Sequence, residues 1–325
     1  MVRRRIAPAA FGLALAALIA VSPSDATFAG RNGRIVFSHF THSSPGQITT
    51  LTPNGRHARV LTAYKREAAA PDVSPNGGRI AFTLIGSRRV PDKVISMRIG
   101  GANAHALTHG CTRRCLGDGE PAWSPDGRQI VFNRAFGPIV DDNADHIDLM
   151  IMNRNGTHVR TLLHSPDYGN KRRFEAGTWS WSPDGTQLAG TFLDLNSPKQ
   201  ASAIYTVELD SLDIHRITPW RLNAGNPDYS PDGRRIVFNS AWEGQTHSSL
   251  YLVNPDGTDT RRLNHPGANY TFGPKFSPSG NQIVYMVAGR QTGFHLARRT
   301  IGGEVRKRIT RSTMRGLDPV WAARQ

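Results

Sequence analysis

The sequence predicts an all-β protein, a six-bladed β-propeller built from four-stranded blades. The first observation is the phrase Ser-Pro-Asp-Gly or a close variant, which starts at residues 74, 124, 182, 230 and 277. The steps between these starts are 50, 58, 48 and 47 residues. The second observation is an aliphatic residue followed by Thr, as in Leu107-Thr108 and Ile217-Thr218, which recurs in step with the first phrase. Two independent signatures that repeat together indicate a series of similar structural units.

Each unit contains the signals of four short strands. The first strand runs into the Ser-Pro-Asp-Gly turn, in which Pro presets φ and Gly takes the positive φ that closes a hairpin. The second strand is an unbroken apolar triplet such as Ile80-Ala81-Phe82, which suits a strand covered on both faces. A third strand such as residues 250–253, a Gly-containing turn and the aliphatic-Thr strand follow. Sheets that repeat radially and cover one another in this way form a propeller, and a solenoid is the alternative.

The two ends of the chain predict that the ring closes. Residues 30–37 align with the turn and second strand of a unit, and Asp318-Pro319-Val320-Trp321 aligns with Glu120-Pro121-Ala122-Trp123. The repeats therefore begin with a second strand and end with a first strand. We expect residues 317–322 to complete the blade begun at residues 34–62, which gives six units in all.

The repeated phrase resembles the TolB-type propeller repeat, a relative of the WD-repeat family, in which an aromatic residue precedes Ser-Pro-Asp-Gly. Here the aromatic residue is Trp123, Trp181 or Tyr229, and the resemblance extends from residue 30 to residue 322. It implies an extracytoplasmic propeller that receives a protein or peptide at a channel mouth. TolB proteins carry an α/β domain ahead of the propeller, and here only a few residues separate the predicted signal peptide from the first blade. The resemblance is therefore carried over for the propeller alone.

Residues 1–29 have the layout of a secretory signal peptide. Three arginines (residues 3–5) precede an apolar run at residues 11–21, which is too short to span a bilayer. Small residues allow cleavage after Ala26 or Ala29, and an uncleaved anchor is the alternative. We therefore expect residues 30–325 to form a single propeller domain that is secreted or periplasmic and has no integral membrane segment.

The two cysteines, Cys111 and Cys115, are the only ones in the chain. In an oxidising compartment this pair predicts a local disulfide in the loop between two blades. Three intervening residues do not match a redox Cys-x-x-Cys pair, and a second pair for a zinc site is lacking.

The formal net charge of +15 makes an anionic envelope polymer a candidate partner. The arginines are scattered through turns and strand ends, which equally suits a solvated surface. A nucleic-acid partner is not expected, because the chain is predicted to be exported and lacks a basic stripe interleaved with aromatic residues.

Candidate ligand-binding residues lie where the first strand of each blade would line the central channel. The residue before the proline of that strand comes near one channel mouth, and the preceding loops add further side chains. The sequence thus predicts a ligand site at the channel mouth formed by Glu67, Glu120, Glu175, Asn226 and Asp318. The alternative is that these polar residues only hydrogen-bond the backbone at the start of the strand.

Catalytic and metal-binding motifs are weak in this sequence. It contains no Gly-x-Ser-x-Gly, no His-Glu-x-x-His and no phosphate-binding Gly loop, so catalytic residues and a resident cofactor are not predicted. One loop, residues 141–148, carries four Asp, which suits Ca²⁺, but it lacks the Gly and terminal Glu of an EF-hand. A solvated turn is the alternative for this loop.

The function predicted from these observations is a non-enzymatic binding or scaffold module for an envelope protein or peptide. One alternative is a hydrolase or lyase that holds a metal in the channel. Another is an envelope carbohydrate-binding propeller that uses the aromatic residues Tyr168, Trp220 and Trp242.

Overall fold

The computed structural model describes residues 29–41, 44–87, 90–109, 115–137, 146–164, 172–174 (backbone only), 179–194, 201–240, 247–264, 270–289, 293–303, 306–311 and 314–324. The strands within these residues form six antiparallel sheets, each of which is one blade of a propeller. A short 3-10 helix, Trp220–Leu222, precedes the fifth blade. In this part of the chain, no helix has the length and apolar character needed to cross a membrane.

The blades are described from the channel outward. Blade 1 contains β25 (Arg315–Arg324), β1 (Arg31–Phe40), β2 (Gln47–Leu51) and β3 (Arg59–Val60). Blade 2 contains β4 (Ala68–Val73), β5 (Arg79–Leu84), β6 (Lys93–Arg98) and β7 (His105–Ala106). Blade 3 contains β8 (Cys115–Trp123), β9 (Gln129–Phe136), β10 (His146–Asn153) and β11 (Arg160–Leu163).

The remaining three blades follow the same order. The innermost strand of blade 4 is described in two parts, β12 (Arg172–Phe174) and β13 (Ser180–Trp181), followed by β14 (Gln187–Asp194), β15 (Ser202–Glu208) and β16 (Ile214–Arg216). Blade 5 contains β17 (Ala224–Tyr229), β18 (Ile236–Ser240), β19 (Ser249–Val253) and β20 (Arg261–Arg262). Blade 6 contains β21 (Tyr270–Phe276), β22 (Gln282–Gly289), β23 (Gly293–Thr300) and β24 (Arg306–Arg308).

The ring is closed by the strand nearest the end of the chain. β25 pairs with β1, with Trp321 opposite Ile35 and Val320 opposite Val36. The indole Nε1 of Trp321 also donates a 3.2 Å hydrogen bond to the carbonyl oxygen of Gly33. The predicted six-bladed propeller, its closure and its four-stranded blades are confirmed, and the solenoid alternative is wrong.

The hydrophobic core lies between the blades. The buried apolar residues form six clusters, and each cluster joins two adjacent blades around the ring. Successive residues of β1 face opposite neighbours: Ile35 and Phe37 pack against blade 6, whereas Val36 packs against blade 2. This alternation explains why the second strand of each blade is apolar at every position of its triplet.

The Ser-Pro-Asp-Gly phrase makes a self-contained turn. In blade 3, the Ser124 hydroxyl donates to Asp126 Oδ1 over 2.6 Å and accepts the Gln129 N–H over 2.9 Å. The Gly127 N–H donates to the Ser124 carbonyl, and Gly127 has a φ of 66°, which glycine adopts at little cost. The phrase is therefore a signal for local turn chemistry and marks where an innermost strand meets the second strand.

The aliphatic-Thr phrase ties the fourth strand to the third. The hydroxyl oxygens of Thr62, Thr108, Thr218 and Thr310 each accept a backbone N–H from the third strand of their own blade, over distances of 2.8–3.1 Å. In blade 5, the side-chain oxygen of Asn264 takes the same place. We call this contact the threonine clamp.

Several predicted features lie outside the described residues. They are residues 1–28 of the signal peptide, Cys111, and the aspartates at 141, 142 and 145. The signal peptide, the Cys111–Cys115 disulfide and the calcium loop therefore stay predictions. Cys115 itself is buried at the start of β8.

We expect Trp321→Ala to destabilise the whole ring, because Trp321 is 2% exposed in the cluster that joins blades 6 and 1. Truncation of a buried Trp costs about 3–5 kcal/mol of unfolding free energy. Chemical denaturation monitored by circular dichroism measures this loss. The control is Val60→Ala, whose side chain is 52% exposed and whose loss should change stability by no more than about 0.5 kcal/mol. Equal stability of the two variants would contradict closure through β25.

Candidate functional site

The innermost strands share one backbone irregularity, which lies at the residue before the proline. This residue has a left-handed φ of 48–54° in five blades, at Ala70, Glu120, Asn226, Gly273 and Asp318. The pairing with the second strand shifts at the same point, as between Gly119 and Ala122 in blade 3, which is a β-bulge. A left-handed conformation at a residue other than glycine costs about 1–3 kcal/mol and is typical of functional sites. The corresponding residue of blade 4, Gly177, lies outside the described residues.

The preceding blade holds the bulges of blades 3 and 5 in place. The Glu120 N–H donates to Thr83 Oγ1 of β5 over 2.9 Å, and the Asn226 N–H donates to Thr191 Oγ1 of β14 over 3.1 Å. These bonds satisfy backbone groups that the bulge removes from the sheet. The left-handed residues are therefore fixed by the frame of the propeller.

In blade 6 the bulge leaves open space where a side chain would stand. A Cβ atom added to Gly273 would meet no atom within 4 Å. The carboxyl groups of Glu120 in blade 3 and Asp318 in blade 1 interact electrostatically, although blade 2 lies between their strands. Both carboxyl groups therefore face the same enclosed space.

Three further charged residues stand two positions after the bulge. Asp228 Oδ1 lies 3.2 Å from Lys275 Nζ of the next blade, and Asp228 Oδ2 accepts the Phe276 N–H over 2.7 Å. Asp72 Oδ2 accepts the Trp123 N–H of the next blade over 2.7 Å. These contacts join adjacent innermost strands around the channel.

The pKa values show that the channel strongly perturbs its carboxyl groups. Burial, together with the nearby charge of Asp318, raises the pKa of Glu120 to about 8. Burial raises the pKa of Asp72 to about 6, and it also raises the pKa values of Asp228 and Asp318. Asp318 is exposed to solvent in the channel, but the surrounding blades replace much of the bulk water that would stabilise its charge.

Lys275 is the charged partner of these carboxyl groups. Burial opposes its charge, but the carboxylates of Asp228 and Asp72 outweigh this effect and raise the pKa of Lys275. Because Lys275 pairs with Asp228, its ammonium group is already engaged. Carboxyl groups therefore outnumber ammonium groups among the charged channel residues described above.

The five predicted ligand-binding residues have different surroundings. Asp318 interacts electrostatically with both Glu120 and Glu67, and Glu67 is exposed directly before β4. The Asn226 amide donates to Asn239 Oδ1 over 3.0 Å, so its side chain bonds within its own blade. Glu175 lies outside the described residues. The ligand-binding role of all five stays a prediction.

The sequence reasoning missed Asp72, Asp228 and Lys275. A signal for them exists, since the residue between the proline and the end of the innermost strand is charged in three copies of the repeat: Pro71-Asp72-Val73, Pro227-Asp228-Tyr229 and Pro274-Lys275-Phe276. A comparison of the repeats at that position would have identified them.

Aromatic side chains border the channel mouth on blade 6. The rings of Tyr270 and Phe272 stack with their centroids 5.9 Å apart, and Tyr270 is 40% exposed. Of the aromatic residues considered for carbohydrate binding, Trp220 packs on the cluster between blades 3 and 4. Tyr168 and Trp242 lie outside the described residues.

Comparison with known proteins leads to the same repeat family. Residues 169–323 match the family described as the TolB beta propeller domain. The crystal structure of TolB from Acinetobacter baumannii is similar with a TM-score of 0.72 and 17% identity, covering 90% of this chain and 67% of that one. Slightly less than half of the chain thus matches the TolB-type β-propeller family. The resemblance stated from the repeated phrase is confirmed.

Two other similarities bear on function. An uncharacterized protein of Agrobacterium fabrum is 36% identical over 195 residues, which are 51% of this chain and 64% of that protein. The match therefore spans less than two thirds of that relative. The crystal structure of an oligogalacturonate lyase from Vibrio parahaemolyticus is similar to this chain with a TM-score of 0.53 and 15% identity, covering 86% of this chain and 73% of that one. At such identities the two structural similarities show the fold alone.

The raised pKa of Glu120 predicts a pH-dependent stability. Because the folded pKa of about 8 exceeds the ordinary value of 4.5, the folded protein keeps a proton that the unfolded chain loses between these pH values. The free energy of unfolding therefore falls as the pH rises through this window. Glu120→Gln removes this contribution, so its melting temperature should increasingly exceed that of the unchanged protein as the pH rises from about 5 to about 8.

Scanning calorimetry across this pH range measures the difference. The control is Asp259→Asn, an exposed residue with a φ of 52°, which asparagine tolerates. A difference between Glu120→Gln and the unchanged protein that stays constant with pH would contradict the raised pKa.

Proposed function

We propose that this TolB-type propeller is a non-enzymatic binding module that receives a protein or peptide segment at the channel mouth. The site consists of Glu67, Glu120 and Asp318, and the recognised group is positively charged. The observation that carries the proposal is the convergence of Glu120 and Asp318, from two blades that are not adjacent, on one enclosed space. The predicted location outside the cytoplasm belongs to the same proposal.

Electrostatics supports a positively charged ligand. The nearby charge of Asp318 helps to raise the pKa of Glu120, and a cation that enters between the two carboxyl groups relieves this repulsion. A lysine or arginine side chain, or an amino terminus, can also reach into a channel that a folded domain cannot enter. Tyr270 and Phe272 at the mouth offer apolar contact to the neighbouring residues of such a segment.

The backbone supports a binding role over a purely structural one. Gly273 has the same left-handed conformation as Glu120 and Asp318, and glycine adopts it at little cost. The carboxyl side chains therefore stand where the fold does not require them. The Ala70 N–H, however, donates to the Asp318 carboxylate. Asp318 therefore also hydrogen-bonds the backbone, as the structural alternative expects.

A metal-dependent lyase or hydrolase is the second candidate. The channel carboxyl groups are ligands that suit Ca²⁺, Mg²⁺ or Mn²⁺. The fold similarity to an oligogalacturonate lyase is consistent with this alternative. The two candidates differ in what occupies the carboxyl cluster, which is an organic cation in one case and a metal ion in the other.

The binding test uses three pools of labelled peptides, one basic, one neutral and one acidic, with all peptides of the same length. The propeller is titrated into each pool at low salt. We expect the basic pool to bind preferentially and more tightly at pH 8 than at pH 6, because the higher pH ionises Glu120. The double variant Glu120→Gln, Asp318→Asn should lose about 1.5–3 kcal/mol of binding free energy for each charged hydrogen bond removed. Fluorescence anisotropy measures the affinities.

The control for the binding test is Asp259→Asn, which lies on an exposed turn and should leave the affinity unchanged. Equal binding of acidic and basic pools, or equal binding by the double variant, would contradict the proposal. Stoichiometric binding of Mn²⁺ or Ca²⁺ that the double variant abolishes, without binding of the basic pool, would favour the enzymatic alternative.

A further inference from the structure

Blade 3 carries a cluster of metal-ligand side chains away from the channel carboxyl groups. His146, Asp148 and His164 each offer one ligand atom, and these atoms lie within 4.8 Å of one another. His146 and Asp148 are two residues apart on β10, so their side chains point to the same face of the sheet. His164 follows the last residue of β11, the strand that pairs with β10.

Contacts on the described residues orient the three side chains. His164 Nδ1 lies 2.7 Å from Asp148 Oδ1. The His146 ring stacks on Phe136, with centroids 4.7 Å apart and an interplanar angle of 11°. The His164 ring stands nearly perpendicular to that of His146, with centroids 5.3 Å apart. Stacking thus fixes one imidazole, and the carboxylate positions the other.

The cluster is closed on one side and open on the other. The Asp148 side chain is 6% exposed, whereas that of His164 is 42% exposed. Across the strands, Arg134 is opposite Asp148 in the pairing of β9 and β10. Arg134 directs two guanidinium nitrogens to Asp118, over 2.7 and 3.0 Å. An ion can therefore reach the cluster from solvent without breaking that ion pair.

The cluster stands where blade 3 departs from the repeat. Four other blades have the threonine clamp at this point, and blade 5 has Asn264 in its place. In blade 3 the corresponding residue is Leu163, whose side chain cannot accept a hydrogen bond, and His164 follows it. The other blades fold with the clamp, so this architecture does not require two histidines and an aspartate here.

We propose that His146, Asp148 and His164 form a binding site for a divalent transition metal, with Zn²⁺ as the expected ion. Two imidazole nitrogens and one carboxylate oxygen are a ligand set typical of Zn²⁺, and three protein ligands leave a coordination position for water or another ligand. Imidazole ligands favour a transition metal over Ca²⁺. Asp148 is also the last residue of the loop 141–148 that was considered for calcium. With two imidazole ligands beside it, it is expected to bind Zn²⁺ instead.

Binding must displace protons, because metal ligands are deprotonated. Before binding, His164 Nδ1 and Asp148 Oδ1 form a hydrogen bond. The same hydrogen bond orients His164 before the metal arrives.

The test begins with chelator-treated protein titrated with ZnCl₂ in a calorimeter. We expect one Zn²⁺ per chain and a rise in melting temperature in its presence. Mutation of a residue that only supports a metal ligand typically weakens metal binding by roughly 10–100-fold. His146→Gln and His164→Gln each remove a ligand, so each should weaken Zn²⁺ binding by at least that factor. Absorption spectra of the Co²⁺-loaded protein report the coordination geometry independently of affinity.

The matched control is His57→Asn, which removes one exposed imidazole from a turn of blade 1 where the φ of 51° suits asparagine. Zn²⁺ affinity should be unchanged in this variant. Three results would overturn the proposal: no Zn²⁺ binding, binding that survives both histidine substitutions, or tighter binding of Ca²⁺ than of Zn²⁺. The melting temperature of the metal-free variants shows whether a loss of binding reflects misfolding.

Discussion

Burial of the second strand of each blade by both of its neighbours is the constraint on which this structure depends. Ile35 and Val36 are adjacent in sequence, but one packs on blade 6 and the other on blade 2. A single blade therefore cannot complete its own core, and an open row of blades would leave two apolar faces in water. Closure through β25 removes both ends at once. The stability of every blade consequently depends on the ring as a whole.

The same second strands also shape the channel. Thr83 and Thr191 extend the apolar triplets by one polar residue, and each accepts the N–H of a bulge residue in the next blade. The frame thus sets the backbone of the channel residues but leaves their side chains free to differ, as between Ala70, Glu120 and Gly273. Specificity in this fold can therefore change without a change in the core.

The sequence predicted those parts of the structure that depend on residues close together in the chain. Turn residues, apolar triplets and the Xaa-Pro step mark the blades, the closure and the channel positions of Glu120 and Asp318. The charged residues Asp72, Asp228 and Lys275 were missed because a bulge adds one residue and breaks the alternation by which faces are assigned. The His146–His164 pair was missed because it depends on the register between two strands, which the sequence alone does not fix.

The charge distribution restricts what can enter the channel. The chain as a whole has a formal charge of +15, yet carboxyl groups outnumber ammonium groups among the charged channel residues. A free cationic ligand is repelled at long range, but at physiological ionic strength this field is screened within about 8 Å. Under the proposed binding function, a flexible basic segment on an acidic carrier would avoid the repulsion, because the carrier would face the basic surface while the segment inserted between Glu120 and Asp318. The basic exterior and the acidic channel together therefore favour a ligand whose charge changes sign along its length.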